Sequence, residues 1–184
     1  MDLFLIKALN GLTTGALYAM TAFGLTFILG MMTIPNFAHG ALFALGASIG
    51  FSLLGLTGSF WLALCLAPIL MAIFGVALER GLIQRLYGDN PENETYILLV
   101  LFAVAIMMQE VIILGWGASG QSTLPPASLL GATQLGPIFF PKYRLFILLA
   151  TLVVIAACWL FIERTHYGAL IKAAIDKREM VMLL

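Results

Sequence analysis

The chain alternates between long apolar runs and short polar breaks, and the breaks carry its organisation. Ile34-Pro35-Asn36-Phe37-Ala38-His39-Gly40 separates the first two runs with a proline, an asparagine and a histidine. Proline lacks a backbone donor and turns Ile34 away from helical angles, while the Asn36 side chain is placed to accept from the amides of Ala38 or His39 as an N-cap. One helix is therefore predicted to end near Gly30 and the next to begin near Phe37. Two readings of the break fit: a tight interfacial hairpin, or a polar helix start that lines a cavity, because such a start in hydrocarbon is costly unless protein or water covers it. The helix after the break is long enough to span by itself.

The first run, 3–30, is interrupted by Lys7, Asn10, Thr13, Thr14, Thr21 and Thr26. At about 100° per residue, Asn10, Thr14 and Thr21 share a helix face. Gly11, Gly15 and Ala19 form a neighbouring stripe of small residues that lets a second helix approach closely, so this side is expected to be interior. Each threonine also has a local alternative, bonding to the carbonyl one turn earlier. The second run, 37–56, repeats the device with Gly46 and Gly50, and Thr57-Gly58-Ser59 reads as a turn. The third, 60–78, holds Pro68 near its centre, which predicts a kink.

A polar loop follows at Gly88-Asp89-Asn90-Pro91-Glu92-Asn93-Glu94. The fourth run, 96–116, carries Gln109 and Glu110, and a carboxylate at that depth needs a partner. The stretch 117–144, with Pro125-Pro126, Pro137 and Pro141, reads as a long external loop or a re-entrant lid. The fifth run, 145–162, ends at Glu163-Arg164, and an amphipathic segment fills 165–184. In that segment Ala169, Leu170, Ala173, Ala174, Met180, Val181 and Leu184 are interleaved with Lys172, Asp176, Lys177 and Arg178. Such a helix lays its apolar side either into a partner's groove or on the bilayer surface.

The fold class is thus all-α: a polytopic transmembrane helical bundle of about five spans, with a discontinuous or hairpin second segment and a last amphipathic helix. Composition agrees, since the 184 residues are 62% hydrophobic and 10% charged, with mean hydropathy +1.06, against about 25% charged in a soluble domain. A net charge of zero argues against an electrostatic nucleic-acid surface, which needs clustered excess Lys and Arg. Asp2 precedes a run longer than a leader's apolar core, so the first segment is expected to stay in the protein. Cys65 and Cys158 read as small hydrophobes rather than a disulfide or metal site. Six of the nine basic residues, Arg80, Arg85, Arg164, Lys172, Lys177 and Arg178, fall on one side of a five-span arrangement. That side is expected to be cytoplasmic, with the N-terminus outside.

Enzymatic readings find little to rest on. His39 and His166 lie apart, and the chain has no His-Glu-x-x-His pair, no Gly-x-Ser-x-Gly elbow and no phosphate-binding glycine loop. No catalytic residue and no metal ligand is assigned. His39 and Glu110 are titratable groups at or within spans, which marks them as functional candidates, with a capping role and a hydrogen-bonded strut as their structural alternatives. A channel-type pore is the rival from another class, although no filter sequence is visible.

Together, Asn10-Gly11-Leu12, Gly15, Tyr18-Ala19, Gly24-Leu25, Gly30, Asn36-Phe37-Ala38-His39-Gly40 and Gly46-Ala47 resemble the start of branched-chain amino acid ABC transporter permeases of the LivH type. Gln109-Glu110 with Trp116-Gly117 is similar to that family's fourth segment. Tyr167-Gly168, Lys172-Ala173 and Asp176 resemble its cytoplasmic ATPase-contacting loop, with Lys172 where arginine is usual and Met180 where a small residue is usual.

The resemblance implies one transmembrane permease domain over 1–184, with a coupling segment at 165–184. Members of the family usually continue through several more spans, so the chain is expected to be the N-terminal part of a permease, truncated at its C-terminus and not transporting alone. Asn10, Thr14, Thr21, Asn36, His39 and Glu110 are the substrate-pathway candidates, and Gly168, Lys172, Ala173 and Asp176 the ATPase-coupling ones. The implied partners are ATP-binding cassette subunits that hold the ATP, a second permease subunit, a periplasmic solute-binding protein and the lipid bilayer, in the bacterial inner membrane. The resemblance implies no cofactor of the chain's own. The implied substrates are branched-chain or related amino acids, with urea or short-chain amides as the alternative.

Overall fold

The computed structural model describes residues 2–32, 35–86, 91–135 and 138–176. Six helices are described: α1 Asp2–Met32, α2 His39–Thr57, α3 Phe60–Gly81, α4 Pro91–Trp116, α5 Lys142–Arg164 and α6 His166–Asp176. Single 3-10 turns lie at Ile83–Leu86 and Ala127–Leu129. Five of the helices are long and apolar enough to cross a membrane. At 31 residues, α1 is about 46 Å long, well beyond a hydrocarbon core of about 30 Å, whereas the 19 residues of α2 just match it. The break at Pro35 therefore separates two helices that are each continuous.

The chain divides into two compact units, Met1–Thr33 with Ala127–Leu184, and Ile34–Pro126. In the second, α2 and α3 form a hairpin that packs with α4 along α2. Gly58 adopts φ 64°, a left-handed conformation that costs glycine little, and its N–H closes α2 on the Leu54 carbonyl at 2.9 Å. Ser59 then caps α3 by accepting from the Leu62 amide at 3.5 Å. Gly46 and Gly50 supply the close approach: a Cβ at Gly46 would lie 3.3 Å from Met71 Cγ, and one at Gly50 3.7 Å from Ala67 Cβ. Ile97, Leu101 and Val104 are buried at helical spacing on α4, with Ala38, Leu45, Ala63 and Ile83 completing this core.

In the other unit, α1 packs against α5, and both contact a small antiparallel sheet. Its strands are β1 Ala132–Leu135 and β2 Ile138–Pro141, with Thr133 opposite Phe140 and Leu135 opposite Ile138. The pleat points alternate side chains to opposite faces, which buries Phe140 and exposes Phe139. Gly131 turns the chain into β1 at φ 89°, and its carbonyl accepts from the Lys142 amide at 3.1 Å. Thr13 and Thr151 are the buried polar residues here. Thr13 meets its burial by donating to the Leu9 carbonyl at 2.9 Å.

Several expectations change. The polar run after α3 is only partly loop, because Pro91 opens α4 and places Glu92, Asn93 and Glu94 in its first turn, where proline is preorganised and acidic residues suit the helix dipole. Gly88, Asp89 and Asn90 lie outside the described residues. The stretch 117–144 holds a hairpin that its prolines obscured. Pro68 lies inside α3, which is one continuous helix, as a kinked helix would also be. The glycine stripe of α1 is not interior among the described residues: Gly11 and Gly15 are exposed, and a Cβ at either would meet nothing within 4 Å. α1 turns Thr13, not that stripe, inward.

The two glycine pairs should therefore behave differently in the purified chain in detergent micelles. Gly50→Leu is expected to lower unfolding stability by about 1–3 kcal/mol through overpacking against α3, and Gly15→Leu to change it by less than about 0.5 kcal/mol. Equal losses in a denaturant titration would contradict this packing.

Candidate functional site

The break before α2 is held locally. Asn36 Oδ1 accepts from the Ala38 amide at 3.0 Å, and the Asn36 carbonyl accepts from the His39 amide at 3.1 Å. Asn36 thus stabilises the turn leading into the helix, which starts at His39, two residues later than its expected start; the cap position itself is Ala38, fully buried. Phe37 stacks edge-on against Phe102 of α4, ring centroids 6.3 Å apart at 88°. This contact fixes the entry of α2 against α4. His39 is half-buried in the first turn.

From that turn a groove of about 1150 Å³ follows α2, between α3 and the second half of α4, and residues 117–121 line it too. Its walls are mostly apolar: Phe51, Leu54 and Met71 are typical. Ser48, Gln109, Trp116, Ser119, Gln121 and Thr123 bring the polar groups. Near the far end of α2 the Trp116 indole Nε1 donates to Ser52 Oγ at 2.7 Å, while Ser52 and Ser48 donate one turn back, to the Ser48 carbonyl at 3.1 Å and the Ala44 carbonyl at 3.0 Å. Gln121 Nε2 then donates to the Trp116 carbonyl at 2.6 Å. Trp116 thereby ties α2, the end of α4 and the following segment together. The groove can take an apolar body and offers few hydrogen bonds to orient it.

The expected pathway residues fall apart into two sets. Asn10, Thr14 and Thr21 belong to one unit, where Thr14 donates to the Asn10 carbonyl at 3.1 Å and Thr21 to the Leu17 carbonyl at 3.0 Å. The Asn10 side chain accepts from the Arg144 guanidinium at the start of α5. These bonds are structural ties within α1 and between α1 and α5. In the other unit, Asn36 and His39 sit at the start of α2 beside groove-lining Phe37 and Gly40. Glu110 is exposed on α4 and bonds to none of the described residues, whereas its neighbour Gln109 faces the groove.

At the other expected site, α5 turns into α6 through Thr165. Gly168 is buried, and Lys172 pairs with Glu163 at the end of α5. Ala173 and Asp176 lie within α6, their side chains outside the described residues; Lys177, Arg178, Met180, Val181 and Leu184 lie wholly outside them. Among the described residues no cluster of His, Cys, Asp or Glu is arranged to hold a metal.

Residues 7–184 match the family described as branched-chain amino acid transport system / permease component. The chain belongs to this family. Among its curated relatives, the high-affinity branched-chain amino acid transport system permease protein BraD of Pseudomonas aeruginosa is 26% identical over 193 residues, covering 98% of this chain and 62% of the relative. The corresponding LivH proteins of Salmonella typhimurium and Escherichia coli are each 25% identical, again over 98% of this chain and 62% of theirs. The chain thus spans about 62% of the length of these relatives. No solved structure matches it.

The family is described as a permease component of a transport system, and five helices of this chain are long and apolar enough to cross a membrane. Of the groove residues, Ser48 escaped the sequence reading, while Gln109 and Trp116 were noted in the fourth run without being made site candidates. The signal lay in the spacing, since Ser48 and Ser52 stand four apart on the helix that carries Gly46 and Gly50, and Gln109 stands seven residues before Trp116.

The Trp116–Ser52 bond makes a direct prediction. Ser52→Ala orphans the indole donor and is expected to cost about 1 kcal/mol of stability, and the same substitution in a Trp116→Phe background should cost clearly less. A double-mutant cycle with no coupling between the two positions would contradict the bond.

Proposed function

We propose that this chain forms membrane-spanning permease structure in an ABC importer of the bacterial inner membrane, passing branched-chain or related amino acids inward. In this reading an external solute-binding protein delivers the amino acid, a second permease position is filled by a copy or a related chain, and ATP is hydrolysed on cassette subunits that meet α6. The single observation that carries the reading is the family match over 7–184. The groove is in keeping with it, being apolar along most of its length, as the side chains of such amino acids require.

The start of α2 is the part of the groove suited to the charged end of an amino acid. The first amides of a helix have no carbonyl one turn back and carry a partial positive charge, so they favour a carboxylate. Phe37, Gly40 and Ala41 line the groove there. Asn36 holds the turn that presents them, and His39 is in the same turn. Asn10, Thr14 and Thr21 keep their place in the proposal as the polar face of α1, and Glu110 as the carboxylate beside Gln109.

The test is uptake of radiolabelled leucine by the assembled transporter. Asn36→Ala should lower uptake several-fold at unchanged membrane abundance, and Asn36→Asp, which keeps the acceptor but adds negative charge at the groove, should lower it at least as much. Near-normal uptake by the Asp variant, with the Ala variant merely scarce in the membrane, would leave this turn a structural hairpin outside the pathway.

A further inference from the structure

The joint between α5 and α6 is tighter than a connection requires. Thr165 alone leaves helical geometry, at φ −103° and ψ 153°, and it serves both helices. Its amide donates to the Phe161 carbonyl at 3.2 Å, and its hydroxyl donates to that same carbonyl at 2.5 Å. The hydroxyl also accepts from the Gly168 amide at 3.1 Å, and the Thr165 carbonyl accepts from the Ala169 amide at 3.1 Å. One residue thus closes α5 and caps α6, with every backbone group engaged, whereas a hinge needs residues free to absorb φ/ψ change.

Gly168 sets how close the two helices come. A Cβ there would stand 2.1 Å from the Ile162 carbonyl oxygen and 2.6 Å from Ile162 Cα, distances that no side chain tolerates. The first turn of α6 therefore rests directly on the backbone of the last turn of α5. Lys172, one turn beyond Gly168, reaches back across the same junction to pair with Glu163, and α6 also touches α1. Cap, backbone contact and ion pair fix one angle from three separate points.

We infer that Glu163, Thr165, Gly168 and Lys172 form a rigid elbow that positions α6, so that a displacement of α6 swings α5 as a body instead of being absorbed at the joint. This rests on the reading of the chain as a permease whose α6 meets an ATPase. Lys172 acts here as a positioning residue held within its own chain, and the ATPase-facing contacts fall to the side of α6 turned away from Glu163. Both partners of the ion pair are half-exposed, 49% each, so the pair is weak by itself and trims the angle that Thr165 and Gly168 set.

The experiment uses the full chain assembled with its ATPase and binding protein in nanodiscs, carrying Glu163→Lys, Lys172→Glu, both reversals together, or Gly168→Ala. Three quantities are read: the distance between spin labels at Val154 and Leu170, leucine transported per ATP hydrolysed, and ATPase retained on purification. Each single reversal is expected to broaden the distance distribution and lower leucine per ATP by about two- to five-fold, with ATPase retention unchanged. The double reversal should restore both, and Gly168→Ala should shift the distance more than either single reversal. If Lys172→Glu loses the ATPase, Glu163→Lys has no effect and the double reversal does not rescue, Lys172 grips the partner and the elbow is wrong while the permease reading stands. If the distances respond as described but the unaltered assembly moves no leucine, the elbow stands and the permease reading falls.

Discussion

In the core of a bilayer no water is available to an amide, a carbonyl or a hydroxyl, so each must find its partner in its own helix or at a break built to supply one. This constraint accounts for most of the polar chemistry in the chain. Thr13, Thr14, Thr21, Ser48 and Ser52 all donate to the carbonyl four residues earlier. Where helices end, a single side chain or a glycine takes over: Asn36 before α2, Gly58 and Ser59 between α2 and α3, Thr165 between α5 and α6. The functional proposals concern these few places, because they are where polar groups escape the helical ladder.

The same medium changes what brings helices together. Apolar side chains are as well solvated by lipid tails as by one another, so association depends on shape and on a few directed bonds. Gly46 and Gly50 let α2 lie against Met71 and Ala67, and Trp116 then bonds across to Ser52. In the other unit the buried Thr13 and the Asn10–Arg144 bond play the corresponding parts. Residues such as Leu114, Leu56 and Phe4 remain three-quarters or more exposed, at 85%, 83% and 75%, as lipid-facing positions do.

The number of helices and their approximate ends were legible because runs of apolar residues long enough to span a bilayer have few alternative structures. The break at Pro35 was equally clear, since proline and asparagine act locally. The hairpin at 132–141 was not, because four-residue strands between prolines leave too short an alternation to stand out, and the burial of Phe140 is decided by its packing against the helices. For the candidate site, helical spacing found the polar face of α1 but not that its members bond to backbone and to Arg144. Glu110 drew attention by its charge, while the residue facing the groove is its neighbour Gln109; one position around a helix separates them, and only packing decides which turns inward. Lys172 was read from its resemblance to a partner-contacting residue, and its pairing with Glu163 depends on the tight turn that Thr165 and Gly168 make.

The basic residues beside Gln84 and those beside His166 are expected on the same, cytoplasmic side of the membrane. Single cysteines at 84, 120, 134 and 166 in a background lacking Cys65 and Cys158, probed with a membrane-impermeant maleimide, test this directly. The expected result is labelling of 120 and 134 from outside intact spheroplasts, and of 84 and 166 only after the membrane is opened. Labelling of 84 or 166 from outside, or of all four from one side, would contradict it.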